Sequence, residues 1–148
     1  MNLQKAELPP KLLRLISNSW WPMENSDIIE QDVSPHVSKN LVKALMPEEE
    51  KVCFYPYPFL TFQKYIDDGY EFCSLSTENG GNIIPSKVLV IGDFGIGSDA
   101  LLAVDYSDEN SEPRIIKQMW VETDCVSEPA HWRVVSDTVE EFFAALEL

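Results

Sequence analysis

Residues 91–106 read IGDFGIGSDALLAVDY, and this stretch decides how the chain folds. Its centre, Gly95–Ala100, matches G-x-G-x-x-A and follows a predicted strand at 87–93, as a dinucleotide-binding turn would. Such a turn also needs a helix after it, because the helix N-terminus binds the pyrophosphate. The next residues, 101–106, instead alternate from side to side with the period of a strand. We therefore interpret the stretch as a tight connection between two strands, held by glycine dihedrals and by hydrogen bonds of its aspartates.

A third strand is predicted at 114–121, after a charged turn. The connections between these three strands are too short to hold crossover helices, which predicts an antiparallel sheet. The first strand is predicted to present two distinct faces. One face carries Val88, Val90 and Gly92, and the other carries Leu89, Ile91 and Asp93.

The part of the chain before this sheet is predicted to be mainly helical. Pro10–Ser19 carries apolar residues at helical spacing. Ser34 can cap a second helix, which Pro47 ends, and the Glu48–Glu50 run after it is expected to be solvated. Residues 59–62 could form a strand or a short helix, and the turn signal Asp67-Asp68-Gly69 favours a hairpin between 60–66 and 70–76. The buried stripe of the second helix is predicted to be Val37, Leu41, Ala44 and Leu45.

The chain ends in a predicted amphipathic helix. A capping box can start it, formed by Asp137 with Glu140 or by Thr138 with Glu141. Its apolar face is predicted to be Val139, Phe142, Phe143 and Leu146. The fold class is therefore α+β: one domain, residues 1–148, with helices packed around a mainly antiparallel sheet.

The composition is that of an ordinary globular protein. A chain of 148 residues, 45% of them hydrophobic, can bury a core without disulfides or metals. Cys53, Cys73 and Cys125 lie far apart and form no C-x-x-C pair, so neither a disulfide framework nor a zinc site is predicted. Without a signal-peptide pattern or a membrane-spanning run, we expect reduced thiols and a cytoplasmic location.

The charge balance is strongly acidic, with 25 Asp and Glu against 11 Lys and Arg and a formal net charge of −14. Nucleic acid and anionic membranes are disfavoured as ligands, because binding them requires Lys and Arg against phosphates. A basic protein partner is favoured, because opposite fields speed the encounter. The alternative is that the acidic charge only keeps the protein in solution.

No catalytic, cofactor-binding or metal-binding residue is predicted. Asp108–Glu112 begins like a calcium loop, but Pro113 stands where that loop needs glycine, so a solvated hairpin tip is expected. Neither of the two histidines stands in a nucleophile–base pattern. Asp93, Asp99 and Asp105 could work as acid and base only if the fold brought them together. The four tryptophans are expected in the core, because no Lys and Arg groove accompanies them.

The order of these features resembles that of the SMI1/KNR4 family, also called the SUKH superfamily. The resemblance covers roughly residues 8–146, and it is most specific at 91–106, at the spaced tryptophans and at the final helix. The residues that carry it are Leu8-Pro9, Ile84-Pro85, Ile91-Gly92-Asp93-Phe94-Gly95, Gly97-Ser98-Asp99, Asp105-Tyr106, Pro113, Trp120, Trp132 and Val139-Glu140-Glu141-Phe142-Phe143.

This resemblance implies an α+β fold without catalytic residues. Bacterial members of the family are regarded as immunity proteins that neutralise polymorphic toxins, and fungal members regulate cell-wall synthesis and signalling. We therefore expect a non-enzymatic, cytosolic immunity protein that covers a basic toxin domain, such as a nuclease, with an acidic surface. A regulatory or scaffolding protein is the alternative. The expected contacts are Asp93, Asp99, Asp108, Glu109 and Glu112, with Glu48–Glu50 as further candidates.

Overall fold

The computed structural model describes residues 8–23, 37–70, 75–78, 81–95, 100–123 and 126–148; for 120–123 and 126–130 it describes the backbone alone. This part of the chain holds four α-helices and a six-stranded antiparallel sheet, which confirms the α+β class. The helices are α1 (Pro10–Ser17), α2 (Lys39–Leu45), α3 (Phe62–Asp67) and α4 (Val139–Ala145). The strands are β1 (Cys53–Phe54), β2 (Leu60–Thr61), β3 (Val88–Asp93), β4 (Leu101–Asp105), β5 (Arg114–Thr123) and β6 (Val126–Ser136).

The sheet has the strand order β1-β3-β4-β5-β6, and β2 also pairs with β3. Every pairing between these strands is antiparallel, as the short connections predict. β4 follows the glycine-rich turn at the place where a dinucleotide site would need a helix, so the predicted strand is confirmed. Strand β6 is not predicted from the sequence. Pro129 interrupts its pattern, and a proline is tolerated there because β6 is the last strand in the order.

Both faces of the central strands are buried. Leu89 and Ile91 pack into a large cluster with α1, α2 and α4, whereas Val88 and Val90 pack into a second cluster on the other face. Trp21 lies in the large cluster and Trp132 in the second, which confirms these two tryptophans as core residues. The sheet is therefore the middle layer of the molecule, with cover on each side.

A β-bulge in β3 corrects the predicted faces of the last two residues of that strand. The register shifts between Val90 and Gly92, so that Gly92 pairs with Leu102 and Asp93 with Leu101. Leu102 belongs to the large cluster and Leu101 to the second one. Directly paired residues share a face, and a bulge adds one unpaired residue. Gly92 and Asp93 therefore lie on the faces opposite to those predicted.

The C-terminal helix α4 closes the large cluster. The Thr138 hydroxyl accepts a hydrogen bond from the Glu141 amide at 3.1 Å, so the cap is Thr138 rather than Asp137. The predicted apolar face is confirmed, because Val139, Phe142, Phe143 and Leu146 are all buried.

Helix α2 begins later and buries less than the sequence predicts. It starts at Lys39 after Ser38, while Ser34 and its expected cap lie outside the described residues. Only Val42 is fully buried in this helix, and Ala44 is exposed. The predicted stripe was wrong in including Ala44 and in omitting Val42, because the helix face that meets the core is centred on Val42. The other three residues of the stripe, Val37, Leu41 and Leu45, are half-buried against the large cluster.

The hairpin predicted around Asp67-Asp68-Gly69 is wrong, since 62–67 form helix α3. Thr61 caps the start of this helix, and Gly69 ends it in the left-handed conformation with φ +98°. The Gly69 amide donates to the Ile66 carbonyl and the Tyr70 amide to the Tyr65 carbonyl, which is the Schellman pattern of a helix end. A helix is favoured because Phe62, Tyr65 and Ile66 share one face and pack on the second cluster.

Glu48 and Glu50 are exposed, as expected for a solvated run, but Glu49 is half-buried, and a buried lysine on β5 binds the first two of these acids. Lys117 is about 1% exposed, and its ammonium lies 2.6 Å from a Glu48 oxygen and 2.8 Å from a Glu49 oxygen. Arg133 also approaches Glu48, at 3.4 Å. Burial pushes the pKa of Glu48 up, but the hydrogen bond and charge of Lys117 outweigh it and hold that pKa below its usual 4.5. These ion pairs hold the segment after α2 against the sheet.

We expect Gly92→Ala to lower the free energy of unfolding by at least about 2 kcal/mol. A methyl group at Gly92 would collide with the Cys53 carbonyl oxygen and lie 3.2 Å from the Phe54 Cα, so β1 would have to move. Urea denaturation measures the change. Gly81→Ala is the control, because its methyl would meet only the Thr77 hydroxyl, at 3.8 Å. Equal losses in both variants would contradict the close approach of β1 to β3.

We expect Lys117→Met to cost about 2 kcal/mol of unfolding free energy, because Glu49 would be left half-buried without a cation and Glu48 would keep only Arg133, at 3.4 Å. Adding Glu48→Gln and Glu49→Gln should recover most of the loss. Pairing lowers the pKa of Glu48 in the folded state, so its contribution is complete above pH 4.5 and falls as the pH drops through the folded-state pKa. Denaturation at pH 7 and in acid tests both points, and a triple variant no more stable than Lys117→Met would refute the pairing.

Candidate partner-binding surface

The described acids that the sequence proposes as contacts lie at two ends of the sheet. In the β3–β4 pair, Asp93 faces Leu101 at one end, and Val88 faces Asp105 at the other. The connection from β4 to β5, which holds Asp108–Glu112, leaves the sheet at the Asp105 end. Asp99 lies outside the described residues. The structure therefore brings Asp108, Glu109 and Glu112 together and places Asp93 apart from them.

Asp93 is engaged in internal hydrogen bonds. One of its carboxylate oxygens accepts from the Tyr55 hydroxyl at 2.8 Å, and the other accepts from the Gly95 amide at 2.9 Å. Burial raises the pKa of Tyr55, and the neighbouring Asp93 carboxylate raises it further, so the phenol stays protonated and donates. These bonds confirm the predicted turn role of Asp93, and they tie the start of the β3–β4 connection to β1.

The β4–β5 connection is an exposed acidic loop with its own internal order. The Asp108 carboxylate accepts from the Asn110 amide and from the Ser111 hydroxyl, each at 2.9 Å. These bonds, the Asn110 amide first, hold the pKa of Asp108 below its usual 3.8. The hydrogen bond and charge of Lys87 hold the pKa of Glu109 below 4.5. Both carboxylates are therefore charged at neutral pH, and the predicted polar tip is confirmed.

Asp105 forms the floor beneath this loop. Its side chain is about 1% exposed, and it accepts from the Arg114 guanidinium and from the Ser107 amide, each at 2.9 Å. Since Asp93 lies at the other end of the sheet, these two aspartates cannot serve as an acid–base pair.

A polar depression of about 400 Å³ opens beside the loop, and we call it the acidic basin. Four carboxylates and one guanidinium line it, from Asp105, Asp108, Glu112, Asp137 and Arg114. Within the described part of the chain, neither Glu112 nor Asp137 takes part in a hydrogen bond or ion pair. Their charges are therefore not offset by direct partners.

Asp137 is predicted from the sequence only as a helix cap and not as a residue that lines a depression. Its position between the end of β6 and the Thr138 cap of α4 is the signal that could have identified it. A carboxylate displaced from the cap position by its neighbour is left to face solvent, and here it faces the acidic basin.

A second, mainly apolar depression of about 290 Å³ adjoins the acidic basin, and we call it the apolar groove. It lies where the start of α1, the β4–β5 connection and the start of α4 meet. Its apolar walls come from Leu8, Pro9, Pro10, Tyr106, Pro113 and Val139, and its charged rim from Lys11, Glu112 and Glu140. Glu112 lines both depressions. The groove could not be predicted from the sequence because its walls come from three distant segments.

Two further described acids are paired, Glu50, which is a candidate contact, and Glu78, which is not. The Glu78 carboxylate binds Arg133 at 3.1 Å and lies 3.2 Å from the His131 ring, while Glu50 lies 3.4 Å from Lys39. Hydrogen bonding to Arg133 lowers the pKa of Glu78, and the charge of Lys39 lowers that of Glu50. Among the residues the structure describes, no three potential ligands converge on a metal position, and no helix is long and apolar enough to cross a membrane.

The profile of one known protein family matches nearly the whole chain. The SMI1/KNR4 family (SUKH-1) matches residues 7–145. No match was found among curated proteins or among solved structures. The matched range includes all four helices and six strands of the described fold and both the acidic basin and the apolar groove. The chain therefore belongs to the SMI1/KNR4 (SUKH-1) family.

Proposed function

We propose that this protein is a cytosolic immunity protein that binds a cognate toxin domain and neutralises it by covering it, without catalysis. The observation that carries the proposal is the family match over residues 7–145, since membership of this family fits an immunity or regulatory role. The acidic basin supports the immunity role in particular, because it gives the molecule a concave surface with charges free to meet a basic partner.

The distribution of charge favours a basic partner at this surface. The chain carries a formal −14, but many of its carboxylates are bound to lysines or arginines within the fold, as Glu48 and Glu78 are. Glu112 and Asp137 line the acidic basin without such partners in the described chain, and Asp108 bonds only to neutral groups. Unpaired charges steer an approaching cationic surface and raise its association rate.

Occlusion is the mechanism that suits these properties. A toxin that acts on nucleic acid must hold phosphates with Lys and Arg, which makes its substrate groove basic. An acidic protein seated on that groove competes directly with the substrate, because both need the same cations. The neutralising protein then needs no reactive group of its own.

Co-expression with a toxin domain that a neighbouring gene encodes tests the proposal. We expect cells to survive only when this chain is present, and a stable complex of the two proteins to be isolated by size-exclusion chromatography. A heat-denatured sample of the chain is the control for the binding measurement. Continued killing of the cells, with no complex isolated, would contradict the proposal.

We expect the association rate constant of the complex to fall by about tenfold or more between roughly 0.05 and 0.5 M salt, because screening shortens the reach of the field. The double variant Glu112→Gln/Asp137→Asn should lower that rate constant at low salt. The matched control is Asp67→Asn/Asp68→Asn at the C-terminal end of α3, which packs on the other face of the sheet. Stopped-flow fluorescence measures the rates. If both double variants lower the association rate constant equally, the acidic basin is not part of the contact surface.

A further inference from the structure

We infer that the apolar groove receives one apolar side chain of the protein partner, while a basic side chain next to it in the partner enters the acidic basin. The inference rests on the proposed function, since it names how that partner docks. It assigns the groove an occupant of stated chemistry: an apolar anchor residue adjacent to a lysine or arginine.

The walls of the groove suit an anchor residue. Pro9, Pro10 and Pro113 present rigid rings, and Tyr106 adds a half-buried aromatic side chain. Such groups lose little conformational freedom when a partner binds, so less of the interaction energy is lost in ordering them. A small apolar pocket with a polar rim is the usual setting of a residue that dominates an interface.

The size of the groove limits its occupant. Its volume of about 290 Å³ lies at the lower end of the range of small-molecule sites, roughly 300–1,000 Å³. One large apolar side chain fits this space better than a cofactor does. The neighbouring acidic basin, at about 400 Å³, leaves room for the long side chain of a lysine or arginine together with water.

The charges around the groove favour a basic residue next to the apolar anchor residue of the partner. Glu112 lines both depressions, so an anchor in the groove places the adjoining residues of the partner against carboxylates. Glu140 stands on the rim, where its nearest ion pair in the described chain, Arg14 at 3.8 Å, is well exposed and weak. Lys11 is the one cation among the described residues that line the groove. A partner segment with an acidic residue beside the anchor would therefore be repelled.

The two depressions should affect different rate constants. Long-range charge attraction acts before contact and sets the association rate, whereas apolar burial forms only in the complex and slows dissociation. Truncating a wall of the groove should therefore raise the dissociation rate and leave the association rate nearly unchanged. Neutralising the acidic basin should have the opposite pattern.

Surface plasmon resonance with the co-encoded toxin domain tests this separation. Tyr106→Ala should raise the dissociation rate constant about tenfold, with an association rate constant within about twofold of the unmodified chain. Pro10→Ala, at the exposed first position of α1, should raise it by a smaller factor and should fold normally. Tyr65→Ala is the matched control, because Tyr65 is a half-buried tyrosine on the other face of the sheet. Melting temperatures show which variants fold.

If the toxin dissociates at the same rate from the unmodified chain and from both groove variants, the inference is refuted. The proposed function would still stand, because the toxin binds. A second probe keeps the groove testable if the toxin does not bind at all. The blocked peptide Gly-Arg-Trp-Gly, at about 5 mM, should shift the amide NMR signals of groove residues such as Lys11, Glu112 and Val139. Gly-Glu-Trp-Gly should bind at least about tenfold more weakly. No shifts at these residues, or equal shifts with both peptides, would refute the inference.

Discussion

Burial of both faces of the central strands is the constraint on which the rest of the structure depends. β3 and β4 are apolar on each side, so the sheet cannot leave one face to water as many antiparallel sheets do. α1, α2 and α4 cover one face, while α3 covers the other. Because the connections between strands are short, this cover must come from the chain before β3 and after β6. The apolar groove lies where these two flanks meet the β4–β5 connection.

The same constraint explains why two polar residues are buried side by side on β5. Lys117 and Gln118 lie where β4 begins, and successive residues of a strand point to opposite faces. Lys117 fastens Glu48 and Glu49 over one face, and its ammonium lies 4.8 Å from the centre of the Phe94 ring. On the other face the Gln118 oxygen accepts from the Tyr70 hydroxyl and the Leu101 amide, each at 2.9 Å. Each buried polar group thus holds a connecting segment against the sheet.

Elements with a strong local pattern could be predicted from the sequence, and features that join distant segments could not. β3, β4 and α4 have clear periods, and they form close to the predicted residues. Asp67-Asp68-Gly69 misleads because a left-handed glycine ends a helix as readily as it turns a hairpin. The Lys117–Glu48 pair spans 69 residues and leaves no local signal. At the candidate site, the sequence predicts the acids of the β4–β5 connection but neither Asp137 nor the apolar walls beside them.

Net charge alone is therefore a poor guide to which acids meet a partner. A carboxylate bound to a lysine or arginine within the fold contributes little to the field outside it, and using it for binding would mean breaking a contact that the fold needs. Glu48 and Glu49 are in this position, as the ligands of a buried ammonium. Glu112 has no such task in the described chain, and it stands between a polar and an apolar depression. In the proposed complex, a residue so placed can repel or attract the partner without any cost to the core, so partner choice could change there while the sheet stays the same.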